Sequence, residues 1–349
     1  MKRLIACALL LNASAHAMHK IADTIGTKKE APFDADLFKK DAQIFSADVG
    51  FLYWAAAEGA LDYAISMNHA AWGPSASYAQ GNFDRAGFGM NPGFRLGLRY
   101  FRAPHYWEVE WQYTRFTGQG INEVNKPAPD QQYLTGTFPQ ITTFPLTKAT
   151  SSIHLNYNVG DMVVTRVFFP NPHLRLRILG GALMSWMSQD WNVHYYDTAS
   201  NTTSIRNSWQ YIGGGLKSGS MVDWYWTGDL YMTAMGTISL LVGTYSNHSK
   251  QTTTFSPTVN DDPSVPVRNA EYRDVRPAFS AQMMLGPSWQ KNYPKNRVEV
   301  FAGFEANMWM NLQEVYRSTA SSASSAKETW INTGVLTLYG LTTRLTVDF

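Results

Sequence analysis

Three histidines, His69, His194 and His248, fall in or beside stretches rich in turn-forming residues, with Asp190, Asp197, Asp261, Asp262 and Asp274 near them in the chain. Asp and His gathered at one rim of a barrel would suit activation of a water molecule, the chemistry of a hydrolase. The same residue types in loops are ordinarily solvated turn formers, and that reading competes. Other chemistries find no pattern to stand on. There is no HExxH, P-loop, GxSxG or CxxC spacing, and Gly87-Phe-Gly-Met-Asn-Pro-Gly93 has neither the spacing nor the strand-to-helix context of a nucleotide loop. No catalyst, cofactor or metal site is expected on these grounds.

A second set of ionisable residues recurs with a period of two. Arg95 and Arg99 alternate with Phe94, Leu96, Leu98 and Tyr100. After the tight turn Arg102-Ala-Pro-His105 the chain returns with Glu108 and Glu110 alternating with Trp107, Val109, Trp111 and Tyr113. Successive side chains of a strand point to opposite faces, so each arm of this hairpin has one face of large apolar groups and one of charges. Arg175 and Arg177 alternate with Leu174, Leu176 and Ile178 in the same way, and Asp62, Arg297, Glu299, Glu305 and Arg344 extend the set. If the apolar faces meet lipid, these ions line the lumen of a barrel and pair across neighbouring strands, as Arg99 and Glu108 would beside their shared turn. They would then either fill and rigidify a narrow barrel or border a water-filled passage whose charge selects solutes.

The rest of the chain favours lipid. Its last strand places Leu341, Leu345, Val347 and Phe349 on one side and Thr342, Arg344, Thr346 and Asp348 on the other, ending on an aromatic at the C-terminus. The chain opens with Lys2 and Arg3, an apolar run and Ala15-His16-Ala17, the form of a removable export signal over 1–17. Cys7, the only cysteine, falls inside it, so the mature chain is expected to have no disulfide. No later window holds the ~18 apolar residues of a spanning helix. A formal charge of +2 argues against nucleic acid as a partner. Aromatics at 14% against 16% charged residues, with twelve Trp, suit rings placed at two membrane interfaces.

The expected fold is all-β, a transmembrane antiparallel barrel of about ten strands, with eight or twelve as alternatives. Residues 18–42 read as a periplasmic arm or small plug and 43–349 as the barrel. One strand is expected over 43–67, kinked at Glu58-Gly59, then a loop over 68–92, the hairpin above, and a loop over 118–149. A strand follows through 153–169, with a bulge at Gly160-Asp161, an apolar face of Ile153, Leu155, Tyr157 and Val159, and a polar face of His154, Asn156, Asn158 and Arg166. Pro170-Asn-Pro-His173 turns into a strand reaching about Gln189. Loops over 190–206, 246–274 and 312–330 then alternate with turns near Asp223-Trp224 and at Asn292 to Lys295. Long connections at one end and tight turns at the other are the signature of extracellular loops and periplasmic turns, with both chain ends on the tight-turn side. Gly213-Gly214-Gly215 reads as a kink or close strand contact.

Several short pieces resemble one family: Leu52-Tyr53-Trp54, Tyr157-Asn158-Val159-Gly160-Asp161, Leu176-Arg177 through Gly180-Gly181-Ala182 with Trp186, Phe304-Glu305 with Trp309, and Leu338-Tyr339-Gly340-Leu341 before Phe349. Together they resemble the Legionella-type major outer membrane proteins, also found among chlamydia-like bacteria, over most of the mature chain. The resemblance implies an outer-membrane barrel with pore-forming and surface-antigen roles. Family members cross-link the envelope through cysteines. This chain departs there, so any homo-oligomer would be non-covalent. Expected partners are outer-membrane lipid and lipopolysaccharide, the barrel assembly machinery acting through Phe349, and a host surface ligand at the loops. The expected function is passive diffusion of small hydrophilic solutes, with a non-conducting structural or adhesin barrel as the alternative and an outer-membrane protease third.

Overall fold

A computed structural model of the chain describes residues 43–67, 81–102, 105–127, 132–138, 145–255, 264–293, 296–318 and 329–349. The export signal with Cys7, the arm over 18–42, His69, Asp261 and Asp262 lie outside the described residues. In chain order the strands are β1 (Gln43–Glu58), β2 (Asp62–Met67), β3 (Gly81–Arg85), β4 (Asn91–Arg102), β5 (Trp107–Asn125), β6 (Tyr133–Gly136), β7 (Leu146–Asn171), β8 (Leu174–Asp197), β9 (Thr202–Tyr225), β10 (Leu230–Thr254), β11 (Ser264–Asn292), β12 (Arg297–Ser318) and β13 (Thr329–Asp348). Ten of them close an antiparallel barrel in the order β1-β13-β12-β11-β10-β9-β8-β7-β5-β4, and β2, β3 and β6 form a separate three-stranded sheet. At the seam Phe45 and Phe349 exchange backbone hydrogen bonds of 3.1 and 2.9 Å, so the barrel leaves no open edge there.

The apolar faces point outward around a belt. Phe45, Val49 and Phe51 on β1, Leu96 and Leu98 on β4, Trp107 and Trp111 on β5, Ile178 and Met184 on β8, and Ile238 and Leu240 on β10 are all exposed. Rings gather at its two margins. Trp107, Trp224, Trp289 and Phe349 sit near the tight turns, and Tyr53, Tyr113 and Trp186 mark the other margin, where Tyr113 and Trp186 stack with centroids 5.8 Å apart. An apolar band flanked by aromatic girdles is what a bilayer solvates and water does not.

Beyond that upper girdle the alternation continues with its sense reversed. On β8 Ser188, Asp190, Asn192 and His194 now point outward, while Trp191, Val193 and Tyr195 are buried; Ile205 on β9 is buried as well. The wall therefore rises past the lipid into water, its inner face mainly apolar on β7 and β8 and mixed on β9 and β10, where Asn207, Asn247, Ser249, Gln251 and Thr253 are buried beside Ile205 and Trp209. This corrects the reading of 153–169: Ile153, Leu155, Tyr157 and Val159 are buried inside, and His154, Asn156 and Asn158 face out. It also corrects the loop assignments. Most of 190–206 and much of 118–149, 246–274 and 312–330 are strand, because their polar residues belong to a wall: Asn192, His194 and Ser246 on its outer face, and Thr203, Asn247, Ser249 and Thr253 hydrogen-bonded or buried on its inner one.

Three local expectations change too. The chain from 43 to 67 is two strands: it leaves the wall after Glu58 through Ala60, whose φ is 60°, and β2 joins the separate sheet. Pairing of β7 with both neighbours runs through Gly160 and Asp161 without a shift, so no bulge lies there. Asp223 and Trp224 belong to β9, and the turn follows at residues 226–229. The close strand contact is real at Gly215, where a Cβ would collide with the backbone of Leu240 and Leu241 on β10; at Gly213 it would meet the ring of Tyr211 on the same strand. The three-stranded sheet packs Leu61, Tyr63, Leu134 and Phe138 against Ile153, Trp191, Val193 and Tyr195, which caps the mouth of the barrel with an apolar core.

Candidate functional site

The candidate site is the barrel interior, because the inward face collects the ions singled out from the sequence. Arg95 on β4 reaches across to Glu305 on β12 through two hydrogen bonds of 2.9 and 2.8 Å, and its Nε donates to Thr114 at 2.9 Å. Gln282 and Thr342 donate to the same carboxylate at 2.6 and 2.8 Å. Arg99 lies 3.1 Å from Glu108, 3.3 Å from Glu110 and 3.8 Å from Asp48. Gly97 makes room for that cluster, since a Cβ at this position would overlap the Asp48 carboxylate. Arg344 meets Glu299 at 3.1 Å, and Arg297 pairs with Asp348.

Near the tight turns Arg175 and Arg177 share the Asp223 carboxylate at 2.8 and 2.7 Å. The stacked rings of Tyr225 and Tyr231 lie 5.6 and 5.7 Å from the Arg175 guanidinium, a cation–π setting in a dry interior. Of the residues expected to line the lumen, only Asp62 is elsewhere. It lies in the three-stranded sheet, where Arg85 holds it at 2.6 Å.

Several inward ionisable groups escaped the sequence reading, among them Asp48, Asp161, Asp223, Lys217 and the Arg276–Glu314 pair. Asp48 stands in phase with the polar positions of β1, opposite the Phe45 to Tyr53 set, and strict counting of alternation would have found it. Asp161 and Asp223 were hidden by being placed in a bulge and a turn. Lys217, 3.0 Å from Asp161, sits among the glycines and serines of β9.

Above the ions the lumen is filled by rings. Trp54, Phe116, Tyr157 and Trp309 pack on one another, with centroid distances of 5.7 Å for Trp54–Phe116, 6.4 Å for Trp54–Tyr157 and 6.0 Å for Tyr157–Trp309. Trp54 Nε1 donates to Thr342 Oγ1 at 3.0 Å and Asn307 donates to the Tyr157 hydroxyl at 2.8 Å, which ties the rings to the charged layer beneath. Leu155, Leu183, Met187 and Tyr245 complete the layer. Between the charged groups the cavities have volumes of about 40, 10 and 10 Å³. Such spaces hold a few water molecules.

The Asp and His residues considered for hydrolysis are not brought together as an acid–base pair among the described residues. His194 Nδ1 lies 2.9 Å from Ser204 Oγ, and burial lowers its pKa below the ordinary value. His248 Nε2 lies 2.9 Å from Asn269 Oδ1. Asp190 holds Arg206 at 2.9 Å, and Asp274 holds Arg276 at 2.7 Å. Asp197 accepts backbone hydrogen bonds from Ala199 and Asn201 at 2.9 and 2.8 Å, which closes the turn between β8 and β9. Asp190 and His248 do line one outer groove, with β9 between them.

Among solved structures the chain is similar to the outer membrane protease OmpT from Escherichia coli, with 11% identity and a TM-score of 0.39 over 93% of this chain and 99% of that one. It is also similar to a Pseudomonas aeruginosa FadL homologue, with 9% identity and a TM-score of 0.26 over 88% and 90%. The toluene transporter TodX of Pseudomonas putida gives 7% identity and a TM-score of 0.22 over 89% and 90%. No curated protein sequence matches the chain significantly. Residues 40–349 match the family model described as Legionella pneumophila major outer membrane protein precursor, and this β-barrel of the cell outer membrane belongs to that family.

Proposed function

We propose that this outer-membrane barrel is a closed structural and surface-presenting protein without a catalyst, whose working part is the wall that rises above the lipid. One observation carries the reading: the lumen is occupied from the tight-turn end upward by paired ions, then by the Trp54, Phe116, Tyr157 and Trp309 layer, then by the apolar cap under β2 and β6. About eight strands leave an interior just wide enough for side chains to fill, and in this ten-stranded barrel the ring layer takes up the added width. Ions held in contact with counter-charges in that space stiffen the wall and are poorly placed to select a solute.

Passive diffusion of small hydrophilic solutes is the competing reading, and its specific support is the ring of Arg and Glu side chains facing the interior. Planar-bilayer recording of the purified barrel separates the two. A closed barrel gives flat traces under conditions where insertion is verified; regular open-channel steps from the unaltered protein would overturn the proposal in favour of a porin.

A further inference from the structure

The outer wall of β8 to β11 carries two grooves, one above the other, that neither a lumen nor a structural role uses. The lower lies inside the lipid belt, has a volume of about 340 Å³ and is walled by Leu216, Ile238, Leu240 and Phe279. The upper, about 250 Å³, lies past the girdle and is walled by Asp190, Ser208, Gln210, Ser246, His248 and Glu271. On β10 the two are joined by the run from Leu240 to Ser246, about 20 Å along the strand. An apolar slot below and a slot of hydroxyl, amide and imidazole groups above is the contact profile of an amphiphile with acyl chains and a saccharide head.

Charge around the upper groove gives the head its sign. Arg206 on β9 and Lys250 on β10 are direct cross-strand partners on the outward face. Like charges set side by side oppose folding unless an anion lies between or over them. Asp190 engages Arg206 from β8 at 2.9 Å, and Glu271 engages Arg273 at 3.1 Å on the groove's far side. Lys250 has no ion pair among the described residues. The two carboxylates that line the groove are thus each held by an arginine at its rim, which leaves Lys250 there as the excess charge. Position supports the same ligand. β1 ends at Glu58 and β4 begins at Asn91, whereas β5 and β7 to β12 continue upward, so among the described residues the side of β8 to β11 offers a tall protein wall to a large headgroup.

We infer that this wall binds one phosphorylated, acylated glycolipid of the outer leaflet, of the lipopolysaccharide class, with its acyl chains in the lower groove and its phosphosaccharide in the upper. The inference rests on the barrel's place in the outer membrane and is independent of whether the lumen conducts. The test titrates detergent-purified barrel with rough-type lipopolysaccharide, with the same lipid after enzymatic dephosphorylation, and with phosphatidylethanolamine, read by native mass spectrometry. The phosphorylated glycolipid should bind at least tenfold more tightly than either other lipid. Lys250→Glu should remove that preference, Ser246→Trp should block the upper groove without altering charge, and Lys148→Glu, at an exposed pair with Glu123 on β7, should leave binding intact. Equal binding of all three lipids overturns the inference, as does undiminished binding by Ser246→Trp and Lys250→Glu barrels that migrate as folded. Displacement of the glycolipid by equimolar heparin also overturns it, assigning the groove to a soluble sulfated glycan.

Discussion

Arg95 and Glu305 meet fork to carboxylate, 210 positions apart in the chain, with side-chain exposures of 6% and 0%. Two charges at that depth are stable only as a pair with their remaining hydrogen bonds satisfied, and Thr114, Gln282 and Thr342 supply those bonds. Removing one partner strands the other. Glu305→Gln is therefore expected to cost about 3–5 kcal/mol, seen as a lower urea midpoint for the loss of the compact, fast-migrating form on unheated gels. Joint replacement, Arg95→Met with Glu305→Leu, should recover most of the loss. A double variant no more stable than the single one would show that the pair does not act as a unit.

Elements carry the next level of organisation. The layer of Trp54 on β1, Phe116 on β5, Tyr157 on β7 and Trp309 on β12 draws one ring from each of four strands, so it locks the wall and, in the closed barrel proposed above, is the barrier across the lumen. Truncating a buried Trp to Ala ordinarily costs about 3–5 kcal/mol. Trp54→Ala combined with Trp309→Ala should lower stability and also open a water path, detected as single-channel steps absent from the parent; a folded double variant that stays silent would place the barrier elsewhere.

The β8–β9 hairpin has its own dependence on pH. His194 is held below its ordinary pKa of 6.5 by burial. The unfolded hairpin then binds the proton more readily than the folded one, so stability is complete above that pH and declines as pH falls through and below it. Protection factors over residues 192–204, with the intrinsic exchange rate at each pH divided out, should be lower at pH 5 than at pH 7.5, and His194→Gln should remove the difference.

Across the whole molecule, the decisive feature is closure. β1 and β13 come from the two ends of the described chain, and their pairing finishes at the reciprocal Phe45–Phe349 hydrogen bonds. Phe349 itself is 63% exposed at the foot of the lipid belt, open to a partner during assembly. Deleting Phe349 should lower the amount of folded protein in the outer membrane severalfold and raise the fraction degraded in the periplasm, measured by fractionation and surface proteolysis. Unchanged insertion would overturn the expectation that assembly depends on Phe349.

Much of this architecture was legible in the residues. The faces of β1, β4, β5, β13 and the first part of β8 follow from alternation, as do ten wall strands, the tight turns and the inward positions of Arg95, Arg99, Glu108, Arg175, Arg177, Glu299, Glu305 and Arg344. Alternation records only which side chains share a face. It does not record what lies beyond that face, because lipid outside and a packed core inside select the same apolar residues. Whether Tyr157 points out or in depends on its height above the upper girdle, which is set by the register of all ten strands together. Tertiary structure alone decided that β7 to β11 outgrow the membrane, that Asp62 leaves the wall, and that rings from four distant strands meet across the lumen. Each of these rests on distances between segments that local sequence does not encode.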